Sequence, residues 1–130
     1  MARIEVPVSA GELVDKVTIL EIKSERIADP GKLGNVRREI AGLAAIVEPM
    51  LKADAGLAPL KSALREINET LWQIEDDIRD CERRKDFGPR FVELARSVYR
   101  TNDRRAAAKR KIDDLLGSEI LEEKSYQAYD

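Results

Sequence analysis

The sequence predicts an all-α fold organised on a long antiparallel helical hairpin, and three observations lead there. Aromatic residues make up only 5% of the chain while charged residues reach 37%, a composition of long solvated helices, not of a sheet protein. Between Leu57 and Cys81 the apolar residues Leu57, Leu60, Leu64, Ile67, Leu71, Ile74, Ile78 and Cys81 advance by alternating steps of three and four, a coiled-coil seam of about three heptads. After a break at Asp86-Phe87-Gly88-Pro89, a second helical stripe runs through Phe91, Leu94, Ala95, Val98, Ala106, Ile112 and Leu116. With 130 residues and 43% hydrophobic content there is apolar mass for one domain and none to spare for a second.

In chain order, residues 1–9 read as a short extended arm. Ile4, Val6 and Val8 alternate with polar residues, and Pro7 restricts the arm to an edge or a docked position. Ser9 with Glu12 forms a capping box that opens a first helix over 10–28. Leu13, Val14, Val17, Leu20 and Ile27 make its main stripe. Ile19 and Ile22 lie on the other side, near Asp15 and Arg26, so this helix expects cover on two sides, from its own chain or a second copy. Asp29-Pro30-Gly31 reads as a turn. The second helix spans 32–53 with Leu33, Val36, Ile40, Leu43, Ile46 or Val47, and Met50 on one face, and Pro49 should kink or end it. The third and fourth helices span 57–85 and 89–116, each roughly 42–44 Å long at 1.5 Å per residue. Pro89 suits the first helical position, Phe87 is placed to staple against Val92, and Gly117 ends the fourth helix. The tail, 117–130, carries Ile120, Leu121, Tyr126 and Tyr129, apolar enough to dock back on the hairpin.

Absences narrow the chemistry. No histidine is present, which removes Ser-His and Cys-His nucleophile pairs, the histidine general base and most zinc or iron sites. Cys81 stands alone, so neither an intrachain disulfide nor a cysteine metal knuckle is available. No cofactor and no metal are expected. The charges nearly balance at net −2, so nothing global attracts nucleic acid or an anionic membrane. The first ten residues lack the apolar core of a signal peptide and no run is long enough to span a membrane, so a cytoplasmic location is expected.

The fourth helix carries the one lead toward a site. Asn102, Arg105 and Lys109 fall on its apolar stripe, where core residues belong. An unpartnered buried polar group costs on the order of 2–7 kcal/mol, so each needs a partner. The hairpin turn sets Leu71 near Asn102, Asn68 near Arg105 and Leu64 near Lys109. Asn68, Trp72, Glu75, Tyr99, Asn102 and Arg105 could then converge, with Glu21 brought in by the first helix. Two readings follow. In one, a guanidinium beside a carboxylate, an amide and an indole holds a small anionic or polyhydroxylated ligand. In the other, Glu21 or Glu75 pairs with Arg105 inside the bundle and Asn102 fixes its register.

A second feature is the charge asymmetry of the hairpin. Residues 66–82 hold seven acids and one arginine, and residues 90–111 hold eight bases and two acids. Arg96, Arg100, Arg104 and Lys111 share the outer face of the fourth helix and are candidates for a partner surface, while Glu69, Asp76 and Asp80 share that of the third. Such a face suits complementary docking of a second copy or plain solvation. Without interleaved aromatics it is a poor nucleic-acid surface.

The pairs Glu66-x-x-Glu69 and Asp77-x-x-Asp80 resemble the magnesium-binding pairs of all-helical nucleotide pyrophosphatases, but both lie on one helix where that chemistry needs facing helices. Leu64-Arg65-Glu66-Ile67 resembles the first helix of helical chorismate mutases, whose further cationic residues do not recur at matching spacing.

Taken together, Glu5-Val6-Pro7-Val8-Ser9, Gly11 to Lys16, Thr18 to Lys23, Leu71-Trp72 with Ile74 to Ile78, Phe91 to Tyr99, Thr101 to Ala106 and Glu123 to Tyr126 resemble a family of short bacterial proteins of unknown function. The resemblance implies a similar helical fold and brings no activity, substrate or catalytic residue. The expected function is that of a non-catalytic helical interaction or scaffold protein, a homodimer. A small-molecule binding protein or small enzyme with its site in the polar gap, and nucleic-acid binding through the outer arginines, are the alternatives.

Overall fold

The computed structural model describes residues 3–130, and residues 1 and 2 of the expected arm lie outside them. Four helices follow one another: α1 (Ala10–Arg26), α2 (Pro30–Ala53), α3 (Leu57–Arg83) and α4 (Pro89–Leu116), with no strand among the described residues. The protein is all-α, and α3 and α4 form the expected long antiparallel hairpin.

Local chemistry accounts for the helix ends. Ser9 Oγ accepts a hydrogen bond from the Glu12 backbone N–H at 3.1 Å, which caps α1. The Glu12 carboxylate, which a full capping box would turn back onto Ser9, reaches Lys109 instead. Asp29-Pro30 is not a free turn. Asp29 caps α2 by accepting from the Lys32 N–H, and Pro30 occupies the first turn, where its missing N–H costs nothing. Pro49 does not end α2, which continues to Ala53. Phe87 packs edge-on against Phe91, with ring centroids 5.3 Å apart, while Val92 stays half exposed, so the expected Phe87–Val92 staple is replaced by an aromatic pair. Gly117, at φ 61°, closes α4 in the left-handed region that glycine enters without strain.

Packing places α1 at the centre. It touches α2, α3 and α4, which explains its two apolar sides without a second copy, whereas α2 packs mainly on α1. Of the two candidates on α2, Val47 turns inward and Ile46 outward. The core divides into two clusters. Val14, Leu57, Leu64 and Ile112, with Met50 and Leu51 against them, draw on all four helices. Ile74, Cys81 and Leu94, with Ile78, Phe91 and Val98, belong to α3 and α4 alone. The arm does not dock, since Ile4 and Val6 are 72% and 68% exposed. Nor is the tail held by its apolar residues. It runs back along α4 without regular structure, Ile120 and Leu121 remain exposed, and polar contacts anchor it.

Candidate functional site

A polar layer separates the two apolar clusters, and its centre is Asp15 of α1. The Asp15 side chain is 2% exposed. Arg105 of α4 grips it with two donors, Nε to Oδ1 at 2.9 Å and Nη2 to Oδ2, and Nδ2 of Asn68 from α3 donates to Oδ1 at 2.9 Å. Asn68 also donates to Thr18 Oγ1 at 2.9 Å, and Thr18 donates to the Asp15 carbonyl. One carboxylate therefore joins three helices. The hydrogen bond to Asp15 raises the Arg105 pKa above its already high ordinary value, more than desolvation lowers it. No buried side-chain nitrogen or oxygen among the described residues lacks a hydrogen-bond partner.

One turn further along α4, Lys109 is 8% exposed and bridges Glu12 at 2.8 Å and Glu122 of the tail at 2.6 Å. Burial pulls its pKa down, but the hydrogen bonds to the two glutamates outweigh burial and leave the ammonium above its ordinary value. The same contact holds the Glu122 carboxyl below the usual glutamate range. Asp113 then accepts a 2.6 Å hydrogen bond from the Gly11 N–H at the start of α1. The α1 and α4 backbones come very close there. A Cβ built on Gly11 would lie 2.9 Å from the Lys109 carbonyl carbon.

Several expected neighbours are elsewhere. Glu21 pairs with Lys61 at 3.0 Å and Arg65 at 3.7 Å, and Glu75 pairs with Arg79 on its own helix, so neither carboxylate meets Arg105. The partner is Asp15, one of the polar residues placed beside the second apolar side of α1. That position, with Thr18 three residues on, was the available signal. Trp72 is half-buried on α3 and makes no aromatic pair among the described residues. Asn68 and Arg105 are brought together on Asp15, Lys109 lies one turn further along α4 in its own bridge to Glu12 and Glu122, and Tyr99 and Asn102 face a separate groove.

That groove, of about 930 Å³, opens between α4 and the returning tail, with Tyr99, Asn102 and Asp103 on one wall and Lys124, Tyr126 and Tyr129 on the other. The Tyr129 hydroxyl donates to Asp103 at 2.6 Å, which raises its pKa, and its ring meets Tyr99 edge-on at 5.1 Å. On the outer face of α4, Arg96 and Arg100 both lean on Glu93, at 3.4 and 3.5 Å, whereas Arg104 and Lys111 make no ion pair among the described residues.

Fold and site together define a four-helix protein whose α1 and hairpin are keyed by a satisfied buried ion-pair network. Residues 4–129 match the model of a family of unknown function, DUF6165, and the chain belongs to that family. No curated protein and no solved structure matches it. No described helix is long and apolar enough to cross a membrane, and no described group of acidic or cysteine side chains has the makings of a metal site.

Proposed function

We propose that the protein is a non-catalytic helical interaction protein that works as a homodimer. Closure of the polar layer carries this reading. The buried Asp15, Thr18 and Asn68 and the partly buried Arg105 are engaged by mutual hydrogen bonds that hold three helices in one register. Groups committed in this way have little capacity left to bind or activate a substrate.

What remains unengaged is on the surface. Leu60, Ala63 and Ile67 of α3 and Arg104, Ala107 and Lys111 of α4 border a shallow cavity of about 260 Å³. Small alanines allow a neighbouring backbone to approach. Among the described residues the two cations on its rim make no ion pair, and neither does Glu66, next to this face on α3. What supports the homodimer is charge complementarity: charges of both signs stand without ion-pair partners around this face, and in a two-fold dimer Glu66 of each chain would face Arg104 or Lys111 of the other. Light scattering tests it. The expected mass is twice 14.7 kDa, reduced to the single mass by Arg104→Glu. A wild-type chain that stays monomeric at high concentration overturns the dimer.

A further inference from the structure

We infer that the groove between α4 and the tail binds an organic cation, an amine or quaternary ammonium group on a ligand of small-molecule size. At about 930 Å³ the groove has the volume of a small-ligand site, for which the usual range is roughly 300–1,000 Å³. Three tyrosines, Tyr99, Tyr126 and Tyr129, contribute to its walls, and the face of an aromatic ring is a negative pole that attracts cations. Two carboxylates, Asp103 and Asp130, line it against one ammonium, Lys124, so the charge balance rejects an anion and accepts a cation. The chain supplies its own example of the chemistry. Lys124 Nζ sits 5.8 Å from the centroid of the Tyr126 ring, inside the distance at which such an attraction acts, about 6 Å. Asn102, on the α4 wall, makes no side-chain hydrogen bond among the described residues and is free to take a polar group on the ligand's body.

Lys124 therefore occupies part of the site as an internal competitor. An incoming ammonium displaces it from Tyr126 and gains the ring together with the pull of Asp103 and Asp130. A neutral polyol would use Asn102 but would draw nothing from the rings' charge distribution or from the carboxylates. The inference goes beyond the homodimer reading and stands or falls separately, because this groove shares no lining residue with the α3–α4 face.

The test is a titration of the isotope-labelled full chain with choline, followed by NMR, beside its uncharged isostere 3,3-dimethylbutan-1-ol at matched ionic strength. Choline is expected to shift the amides of Tyr99, Asn102 and residues 124–130 saturably. The neutral isostere should bind roughly two- to fivefold more weakly, the size of a cation–π contribution at an exposed site. Lys124→Gln removes the competitor and should tighten choline binding by about twofold, and Tyr126→Leu should weaken it by about threefold. Both positions are exposed in the tail, so neither change threatens the fold. A short peptide carrying trimethyllysine distinguishes the sources. Tighter binding than choline assigns the cation to a protein side chain, and weaker binding assigns it to a free small molecule. Equal binding of choline and its neutral isostere, no shift with any of the three probes, or weaker choline binding by Lys124→Gln overturns the proposal.

Discussion

Replacing Arg105 with methionine removes the guanidinium and keeps most of the aliphatic stem. The fold then holds the Asp15 side chain at 2% exposure with Asn68 Nδ2, at 2.9 Å, as its remaining side-chain donor. Breaking a buried ion pair from one side costs about 3–5 kcal/mol, because the surviving charge has lost its partner and not its burial. The Arg105 side chain is 29% exposed, so water can reach the edge of the vacated space, and the lower end, about 3 kcal/mol, is expected. With a urea dependence of about 2 kcal/mol per molar, that lowers the denaturation midpoint by about 1.5 M at unchanged slope. Asp15→Asn combined with Arg105→Met removes both charges and leaves an amide facing Asn68. The double variant should regain all but about 1 kcal/mol, giving a coupling energy of at least about 2 kcal/mol. A single Arg105→Met variant that unfolds at or above the wild-type midpoint refutes the closed-pair reasoning and turns attention to Arg105 as part of an open site.

Three further outcomes follow from the same geometry. Gly11→Ala should destabilise the fold by about 1–2 kcal/mol in a denaturant melt, although alanine is the better helix former, because its methyl meets the α4 backbone; an unchanged melt would show that α1 and α4 can separate without cost. The depressed Glu122 carboxyl contributes docking free energy that is present above the ordinary glutamate range and is lost as pH falls through its lower folded value. The raised Lys109 ammonium keeps its share until pH rises past the ordinary lysine range. Backbone order of residues 117–130, read by 15N relaxation, should therefore be greatest around neutrality and fall in acid, and a flat profile removes the Lys109–Glu122 bridge as the anchor. Cys81 is fully buried in the cluster built from α3 and α4 alone. Its labelling by a thiol reagent should report an opening free energy below that of global unfolding by circular dichroism; equal values would mean that the distal hairpin opens only with the rest.

Much of the architecture was legible because it rests on near-neighbour chemistry. The three-four seam of Leu57 to Cys81, the break at Gly88-Pro89 and the cap at Ser9 each depend on residues within one or two turns of one another, and the helical hairpin they define is the one observed. Even the polar gap at Arg105 was visible, because a helical wheel displays any charge set on an apolar stripe. Its partner was not. Periodicity ranks the faces of one helix, whereas the crossing of α1 over the hairpin depends on how Gly11 lets two backbones close on each other and on which side of α1 receives α2. That crossing brings Asp15 to Arg105 and leaves Glu21 with Lys61. The tail lay further out of reach, since its anchors are single long-range contacts from Glu122 to Lys109 and from Tyr129 to Asp103 with no repeating pattern behind them.

By itself the sequence determined that this chain is helical, where the hairpin turns, and that α4 carries a buried cation in need of a partner. Only the tertiary structure decided that Asp15 is that partner, that the buried polar groups around it satisfy one another, and that the tail folds back to build a tyrosine-lined groove. The physical reason is the range of the interactions. Helix formation and apolar patterning act over a few residues of chain, while a buried charge is satisfied by whichever opposite group the packing of whole helices delivers across 90 residues of sequence.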